Sequence, residues 1–128
     1  MSYYFNKIVD MSFDEAIKQV TEELKKEGFG ILTEIDVKEA LKKKLNVDFR
    51  KYRILGACNP QYAYKALQTE DKIGTMLPCN VIVQEREDET VEIAAIDPIA
   101  SMQAVENESL GEIASVVRSK IKKVIEAV

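Results

Sequence analysis

Residues 80–96, NVIVQEREDETVEIAAI, decide the fold class of this chain. Two runs rich in strand-forming residues, 80–86 and 90–96, are separated by the short acidic loop 87–89. Two such runs joined by a short loop predict a β-hairpin. The other predicted strands lack the unbroken apolar character of a doubly wound parallel sheet, so the sequence favours a mixed, mainly antiparallel sheet in an α+β fold.

Outward from this hairpin, capping patterns mark the helices. Ser12, Asp36 and Ser109 are each followed three residues later by a glutamate, which is the spacing of a capping box. Apolar residues then recur at three- and four-residue steps, as on the buried face of a helix. The remaining elements are strands 4–9, 30–35 and 52–58, a short helix opened by Asn59-Pro60, and a helical turn or two in 98–104.

These elements follow the order β-α-β-α-β-α-β-β-α. We expect them to form one domain, residues 1–128, because no linker, repeat or low-complexity tract interrupts the chain. Gly28 has the position of a C-terminal cap for the first helix. We expect the helices that begin near Ser12 and Ser109 to cover one face of the sheet.

Composition narrows the class of protein. With 46% hydrophobic and 31% charged residues, the chain resembles an ordinary globular protein rather than a disordered one. No apolar run approaches the roughly 20 residues of a membrane span, and residues 1–7 lack the features of a signal peptide. Two cysteines 21 positions apart imply no disulfide framework. We therefore expect a cytoplasmic protein with reduced thiols and no membrane partner.

The sequence contains no histidine. This excludes Ser-His and Cys-His nucleophile pairs, zinc sites that use imidazole, and the usual proton shuttle near neutral pH. Acid–base chemistry would have to use carboxylates, cysteine, lysine or tyrosine. A general hydrolase is therefore disfavoured.

Positive charge is concentrated in residues 37–53, although the whole chain has a net charge of −4. Such a strip fits a phosphate-bearing partner, or alternatively a solvated helix face followed by a charged loop. The chain is acidic and has no tryptophan, so we expect no nucleic-acid partner. The seven basic residues of the strip are Lys38, Lys42, Lys43, Lys44, Arg50, Lys51 and Arg53.

The two cysteines lie in similar local settings, GACNP at 56–60 and LPCNV at 77–81. Each cysteine is followed by an asparagine and has a proline within two residues. Asn59 is in position to cap the helix that Pro60 opens, which places Cys58 just before a helix N-terminus. Unpaired N–H groups and the helix dipole favour a thiolate there.

Each of these residues also has a purely structural explanation. Free cysteines are often buried and pack as small hydrophobic groups, and Asn59 and Asn80 are suited to satisfying backbone groups in tight turns. Because neighbouring strands lie about 5 Å apart, the thiols of Cys58 and Cys79 can nevertheless converge. Convergence would permit a soft metal ion or a reversible disulfide.

Two carboxylates form a further candidate group. Glu34 and Asp36 share one face of an extended segment, because side chains alternate along a strand. Paired carboxylates suit acid–base chemistry or a hard cation. In the structural alternative, Asp36 caps the following helix and Glu34 pairs with a base such as Arg53.

Several segments together carry a resemblance to a known family. They are GFGILTEIDV at 28–37, YRILGACNP at 52–60, AL at 66–67 and LPCNV at 77–81. In this order they resemble the bacterial and archaeal domain-of-unknown-function family 302, over nearly the whole chain. The resemblance implies a small cytoplasmic α+β protein that forms a homodimer, and it implies no reaction. The matching positions are Thr33, Glu34, Asp36, Arg53, Cys58, Asn59, Pro60, Pro78, Cys79 and Asn80.

We therefore expect a homodimeric module that binds a small molecule or a metal, or that regulates, with its pocket near the two Cys-Asn turns. The alternative is a thiol-dependent enzyme or redox protein in which Cys58 acts with Cys79, and a purely structural dimer is a third reading. The same two cysteines are the candidate metal ligands, and no particular cofactor is indicated. The predicted ligand-binding residues are Glu34, Asp36, Arg53, Cys58, Asn59, Cys79 and Asn80.

Overall fold

Five strands form one antiparallel sheet in the computed structural model, which describes residues 2–128. The sheet order is β1-β5-β4-β3-β2, and each neighbouring pair is antiparallel. The predicted α+β fold is confirmed, with a sheet that is antiparallel throughout. The strands are β1 (Tyr4–Val9), β2 (Gly30–Asp36), β3 (Tyr52–Cys58), β4 (Cys79–Glu85) and β5 (Val91–Ile96). The helices are α1 (Phe13–Lys26), α2 (Val37–Leu45), α3 (Pro60–Thr69), a 3₁₀ helix (Asp71–Met76), α4 (Pro98–Ser101) and α5 (Glu108–Ala127).

The first two helices begin where the capping patterns predict. The Ser12 hydroxyl accepts a hydrogen bond from the Glu15 backbone N–H at 3.1 Å, and this contact opens α1. The Asp36 carboxylate accepts the same kind of bond from the Glu39 N–H at 3.0 Å and opens α2. Gly28 follows α1 with a φ of +88°, a conformation that glycine adopts without steric cost.

The start of α5 differs from its prediction. Asn107, not Ser109, is the N-cap, and its side-chain oxygen accepts a hydrogen bond from the Leu110 N–H at 3.3 Å. The amide nitrogen of Asn107 also donates to the Thr69 carbonyl at the end of α3, at 3.2 Å. One asparagine side chain thus caps α5 and fastens it to α3. A serine, with a single hydroxyl, is less suited to both contacts.

The main hydrophobic core lies between the sheet and the two long helices. Val83 and Ile93 of the sheet and Ala16 and Val20 of α1 are fully enclosed in this core, and Ile121 of α5 is 1% exposed. The apolar stripe of α5 is therefore used largely against its own sheet. Among residues 2–128, no helix combines the length and the apolar character needed to cross a membrane.

A smaller second core lies beside the main one. Ala66 of α3, Ile73 of the 3₁₀ helix and Leu110 of α5 are buried there, and Met76 and Met102 pack around them. The sequence patterns assign no element to segment 71–78, but it contains the 3₁₀ helix, because burial of Ile73 gives it a fixed place. The two cores meet at the ends of β3 and β4.

The other face of the sheet is open. Tyr4 and Ile8 of β1 are 41% and 44% exposed, and Ile35 of β2 is 48% exposed. The strand register places Ile35, Ile54, Ile82 and Ala94 in one row across four strands. We call the surface around this apolar row the open face.

Candidate functional site

Both cysteines line one small cavity where the two hydrophobic cores meet. The cavity has a volume of about 40 Å³ and lies at the end of β3, against α3 and α5. Asn59 is part of its wall, and the remainder is almost entirely apolar. We call this space the cysteine cavity. Its other lining residues include Phe29, Tyr62, Leu77, Met102, Ala114 and Val117.

The strand register places the two cysteines close together along the backbone but on opposite faces of the sheet. Cys79 pairs directly with Ala57, so Cys58 lies one residue beyond the partner of Cys79 and its side chain points to the other face. With strands about 5 Å apart and a rise of about 3.4 Å per residue, the two Cα atoms are about 6 Å apart. In addition, the charge of Cys58 is close enough to raise the pKa of Cys79. The structure therefore brings together two residues that are 21 positions apart in the sequence.

Neither thiol has the electrostatic setting of an activated nucleophile. Burial, followed by the nearby Cys58, raises the pKa of Cys79 from 9.0 to about 11. Burial also raises the pKa of Cys58. The expectation that the N-terminus of α3 would stabilise a Cys58 thiolate gains no support from this shift, whose direction is set by burial.

Asn59 has a different role from the predicted one. Its side chain makes no capping bond to α3. Instead, its amide nitrogen donates a hydrogen bond to the Glu27 carbonyl at the end of α1, at 3.1 Å. A Cβ at Gly28 would lie 3.1 Å from the same nitrogen, so the glycine leaves room for this contact. Asn59 is buried, and the bond satisfies an otherwise orphaned helix-end carbonyl.

Asn80 does not line the cysteine cavity. Successive side chains of a strand point to opposite faces of the sheet, so Cys79 faces the helices and Asn80 faces away. Asn80 borders a separate, shallow depression of about 370 Å³ on the open face, together with Tyr52, Gln84 and Glu92. The prediction that both Cys-Asn turns contribute to one pocket is therefore wrong for Asn80.

Glu34, Asp36 and Arg53 form a separate group and are not a wall of the cavity. The Arg53 guanidinium pairs with the Glu34 carboxylate and, at 3.5 Å, with Asp36. Arg53 lies five residues before Cys58 on β3, a separation of about 17 Å along an extended strand. The structural alternative for these residues, an ion pair beside a helix cap, describes their observed contacts.

The basic strip is largely engaged in local contacts. Its side chains pair with neighbouring acidic groups or stack on aromatic rings, which leaves few free cations for a phosphate-bearing partner. The contacts are Lys42 with Asp48, Lys43 with Glu39, Lys38 with the Phe49 carbonyl, Arg50 over the Phe49 and Tyr52 rings, and Arg53 with Glu34 and Asp36.

The side chains present restrict any metal chemistry at the cysteine cavity. Within residues 2–128, no three His, Cys, Asp or Glu side chains form a group that could hold a metal ion. A four-ligand zinc site therefore does not fit this part of the chain.

Met102, in the turn after α4, also lines the cysteine cavity, and the sequence analysis does not name it. The one feature of the sequence that could have pointed to Met102 is that it is a sulfur-bearing residue within the predicted helical segment 98–104.

Comparison with known proteins places this geometry in a family. The family model described as "Domain of unknown function DUF302" matches residues 5–128. The chain belongs to the DUF302 family. A crystal structure of an uncharacterized conserved DUF302 protein from Bacillus stearothermophilus is similar to it, with a TM-score of 0.92 and 29% sequence identity. That similarity covers 99% of this chain and 98% of the other. No curated protein matches the chain.

Proposed function

We propose that this DUF302 protein is a binding module whose site is the cysteine cavity. The observation that carries the proposal is the presence of Cys58 and Cys79 on the wall of one apolar cavity. The carboxylates and the guanidinium that sequence patterns also suggested lie elsewhere on the sheet. The bound guest would therefore meet sulfur and carbon rather than charged oxygen.

The size of the cavity limits the guest. Pockets for metabolites and drug-sized ligands measure roughly 300–1,000 Å³, whereas the cysteine cavity measures about 40 Å³. A single water needs about 10–15 Å³ of comparable space. The cavity accordingly suits a guest of one or a few atoms, and a metabolite would require α3 to move away.

Binding at this position would couple the two cores. The cavity wall includes residues of β3, β4, α3 and α5, so a guest would tie the smaller core to the main one. A guest that binds only the folded state stabilises it by about 2.7 kcal/mol at 100 times its dissociation constant. Occupancy would thereby stabilise α3 and the 3₁₀ helix, as a regulatory ligand would.

Xenon tests whether the cavity accepts a guest, because apolar cavities bind this neutral atom. We expect saturable xenon-dependent shifts of the backbone amides of Ala57, Cys79 and Ala114. Ala114→Val should fill the cavity and abolish the shifts, whereas the same change at the exposed Ala127 should leave them intact. Circular dichroism would confirm that both variants fold. An absence of shifts in the parent protein would refute guest binding.

A reversible disulfide is the second candidate. The Cα atoms of Cys58 and Cys79 are about 6 Å apart by register, within the roughly 4.4–6.8 Å that disulfides span. The register directs the two side chains to opposite faces of the sheet, so the bridge requires the end of β3 to turn Cys58 toward Cys79. Oxidation would transfer two electrons to a low-molecular-weight disulfide and release two protons from the thiols. The test is incubation with oxidised glutathione and mass spectrometry of the intact chain. A loss of two hydrogens would support the pair, and only mixed disulfides at Cys58 would contradict it.

We also propose a homodimer in a reducing, cytoplasmic compartment. The two free cysteines are consistent with that compartment. The open face supports the dimer, because five strands of about six residues give it a projected area of about 500 Å². Because side chains project from the sheet, the solvent-accessible area of the open face is larger than its projected area. It approaches the roughly 600–1,000 Å² that each partner buries in a specific interface.

Sedimentation velocity at micromolar concentration tests this interface. Ile82, on the central strand β4, lies within the apolar row, so Ile82→Lys should shift the equilibrium to a 14.5 kDa monomer. Leu45→Lys is the matched control, since Leu45 is 66% exposed on α2, outside the apolar row. A parent protein that sediments only as a monomer would contradict the proposal.

A further inference from the structure

We infer that the cysteine cavity is the closed form of a larger site for a neutral, apolar, ring-sized molecule, and that α3 is the lid of this site. The inference rests on the proposed function, because it names the ligand class of the same cavity and the way in. The observation that carries it is that α3 supplies one wall of the cavity but is lightly attached to the rest of the fold. The residues of this wall are Asn59 at the start of α3, Tyr62, Ala63 and Ala66.

The packing of α3 is sparse for a helix. Ala66 is its one buried residue, whereas α1 buries four residues and α5 buries six. Tyr64 and Leu67 are 65% and 44% exposed. The helix packs mainly against α5 and the 3₁₀ helix rather than on the sheet. A segment with so few buried apolar side chains opens locally at a lower free energy than the whole fold.

Two asparagine side chains connect α3 to distant parts of the chain, one at each end. The amide nitrogen of Asn59 donates to the Glu27 carbonyl at 3.1 Å, and that of Asn107 donates to the Thr69 carbonyl at 3.2 Å. Asn59 is buried in the cavity wall, so we assign it the fixed end of the lid. Asn107 does not line the cavity, so its bond can break without altering the wall, and we call this bond the latch.

The lining residues define the class of ligand. None of them is an aspartate, glutamate, lysine or arginine, so a charged ligand would be left unpaired in an apolar interior. Benzene occupies an apolar cavity of about 150 Å³, whereas the closed cysteine cavity measures about 40 Å³. A ring of that size therefore enters only when α3 moves outward and the latch breaks.

Native-state hydrogen exchange tests whether α3 opens by itself. We expect the amides from Ala63 to Thr69 to be at least about 100-fold less protected than those of α1 and of Val83, because opening of α3 leaves the main core intact. The matched control is α1, a helix of the same fold that buries four side chains. Equal protection of α3 and α1 would show that they unfold together, and would overturn the lid.

Benzene titration followed by NMR tests the ligand class and the latch together. We expect saturable shifts of the Ala57 and Ala114 amides. Asn107→Asp keeps an oxygen to cap α5 at the Leu110 N–H but removes the donor to the Thr69 carbonyl. Loss of this hydrogen bond should raise the open population, and with it the benzene affinity, about 2- to 10-fold. Xenon fits the closed cavity, so its affinity should stay unchanged.

Asn80→Asp is the matched control, because it introduces the same charge at an exposed asparagine outside the cavity wall. It should leave both α3 exchange and benzene affinity unchanged. Circular dichroism would confirm that both variants fold. Where Asn107→Asp does not fold, the exchange pattern and the benzene titration of the parent protein still decide the question.

The outcomes separate this inference from the function on which it rests. Xenon shifts without benzene shifts in the parent protein would overturn the larger site alone, and absence of both would overturn the binding module as well. Benzene binding that Asn107→Asp does not strengthen would overturn the lid. Stronger benzene binding in Asn107→Asp, with faster exchange of α3 by the same factor and unchanged xenon affinity, would support it.

Discussion

The Cys79 thiol offers a quantitative test of the cavity's electrostatics. Burial and the neighbouring Cys58 raise its pKa from 9.0 to about 11. Only the thiolate reacts with alkylating agents. At pH 8 about 0.1% of a thiol with pKa 11 is ionised, against about 10% of a thiol with pKa 9.0. We therefore expect Cys79 to be alkylated about 100-fold more slowly than an unshifted thiol, before any effect of limited access.

Iodoacetamide labelling followed by peptide mass spectrometry measures each cysteine separately. The rate at Cys79 should rise about tenfold per pH unit from pH 7 to 10, because the thiolate fraction does. In Cys58→Ser the midpoint should fall, since the charge of Cys58 is one cause of the shift, yet stay above 9.0, since burial is the larger cause. A rate at Cys79 that levels off by pH 9 would refute this account.

The same shift affects stability at high pH. The folded protein holds the Cys79 proton more tightly than the unfolded chain, so this contribution is complete below about pH 9 and is lost as pH rises through about 11. The loss amounts to about 2–3 kcal/mol. Urea unfolding from pH 8 to 11 should therefore be steeper in pH for the parent than for Cys79→Ala. Parallel curves for the two proteins would contradict a buried thiol.

Two further predictions concern the residues around the cavity. In Gly56→Ala the new Cβ would lie 2.1 Å from the Thr33 hydroxyl oxygen and 2.8 Å from a Pro78 ring carbon, so unfolding should become easier by about 1–3 kcal/mol. Gly30→Ala is the control, because a Cβ there meets open space. If urea unfolding showed the same loss of unfolding free energy for both variants, the clash at Gly56 would be excluded. Asn59→Ala should cost about 1–3 kcal/mol, because the Glu27 carbonyl loses its donor. Asn59→Asp should not restore stability, since a carboxylate cannot donate that bond, and recovery by Asp would show that side-chain shape matters instead.

Local signals predicted most of the fold correctly. The caps at Ser12 and Asp36 depend on contacts three residues apart, which the sequence displays directly. The start of α5 was misplaced because Asn107 is selected by a second contact, to Thr69, 38 residues away. A pattern confined to neighbouring positions carries no information about such a tertiary contact.

The candidate site was harder to predict for the same reason. The proximity of Cys58 and Cys79 follows from strand register, and register depends on pairing between distant segments. The separation of Glu34 and Arg53 from the cavity follows from distance along β3, which a grouping by chemical type ignores. Met102 lines the cavity because the smaller core holds the turn after α4 against α3 and α5, and no local pattern marks it.

The two Cys-Asn turns show how similar sequences acquire different roles. In the first, Asn59 turns back to the end of α1 and holds α1 beside the start of α3, where Cys58 lines the cavity. In the second, the alternation of β4 directs Cys79 inward and Asn80 to the open face. If Asn59 holds the cavity's shape, Asn59→Ala should weaken guest binding as well as stability. Asn80→Ala should leave guest binding unchanged, although its sequence setting is nearly the same.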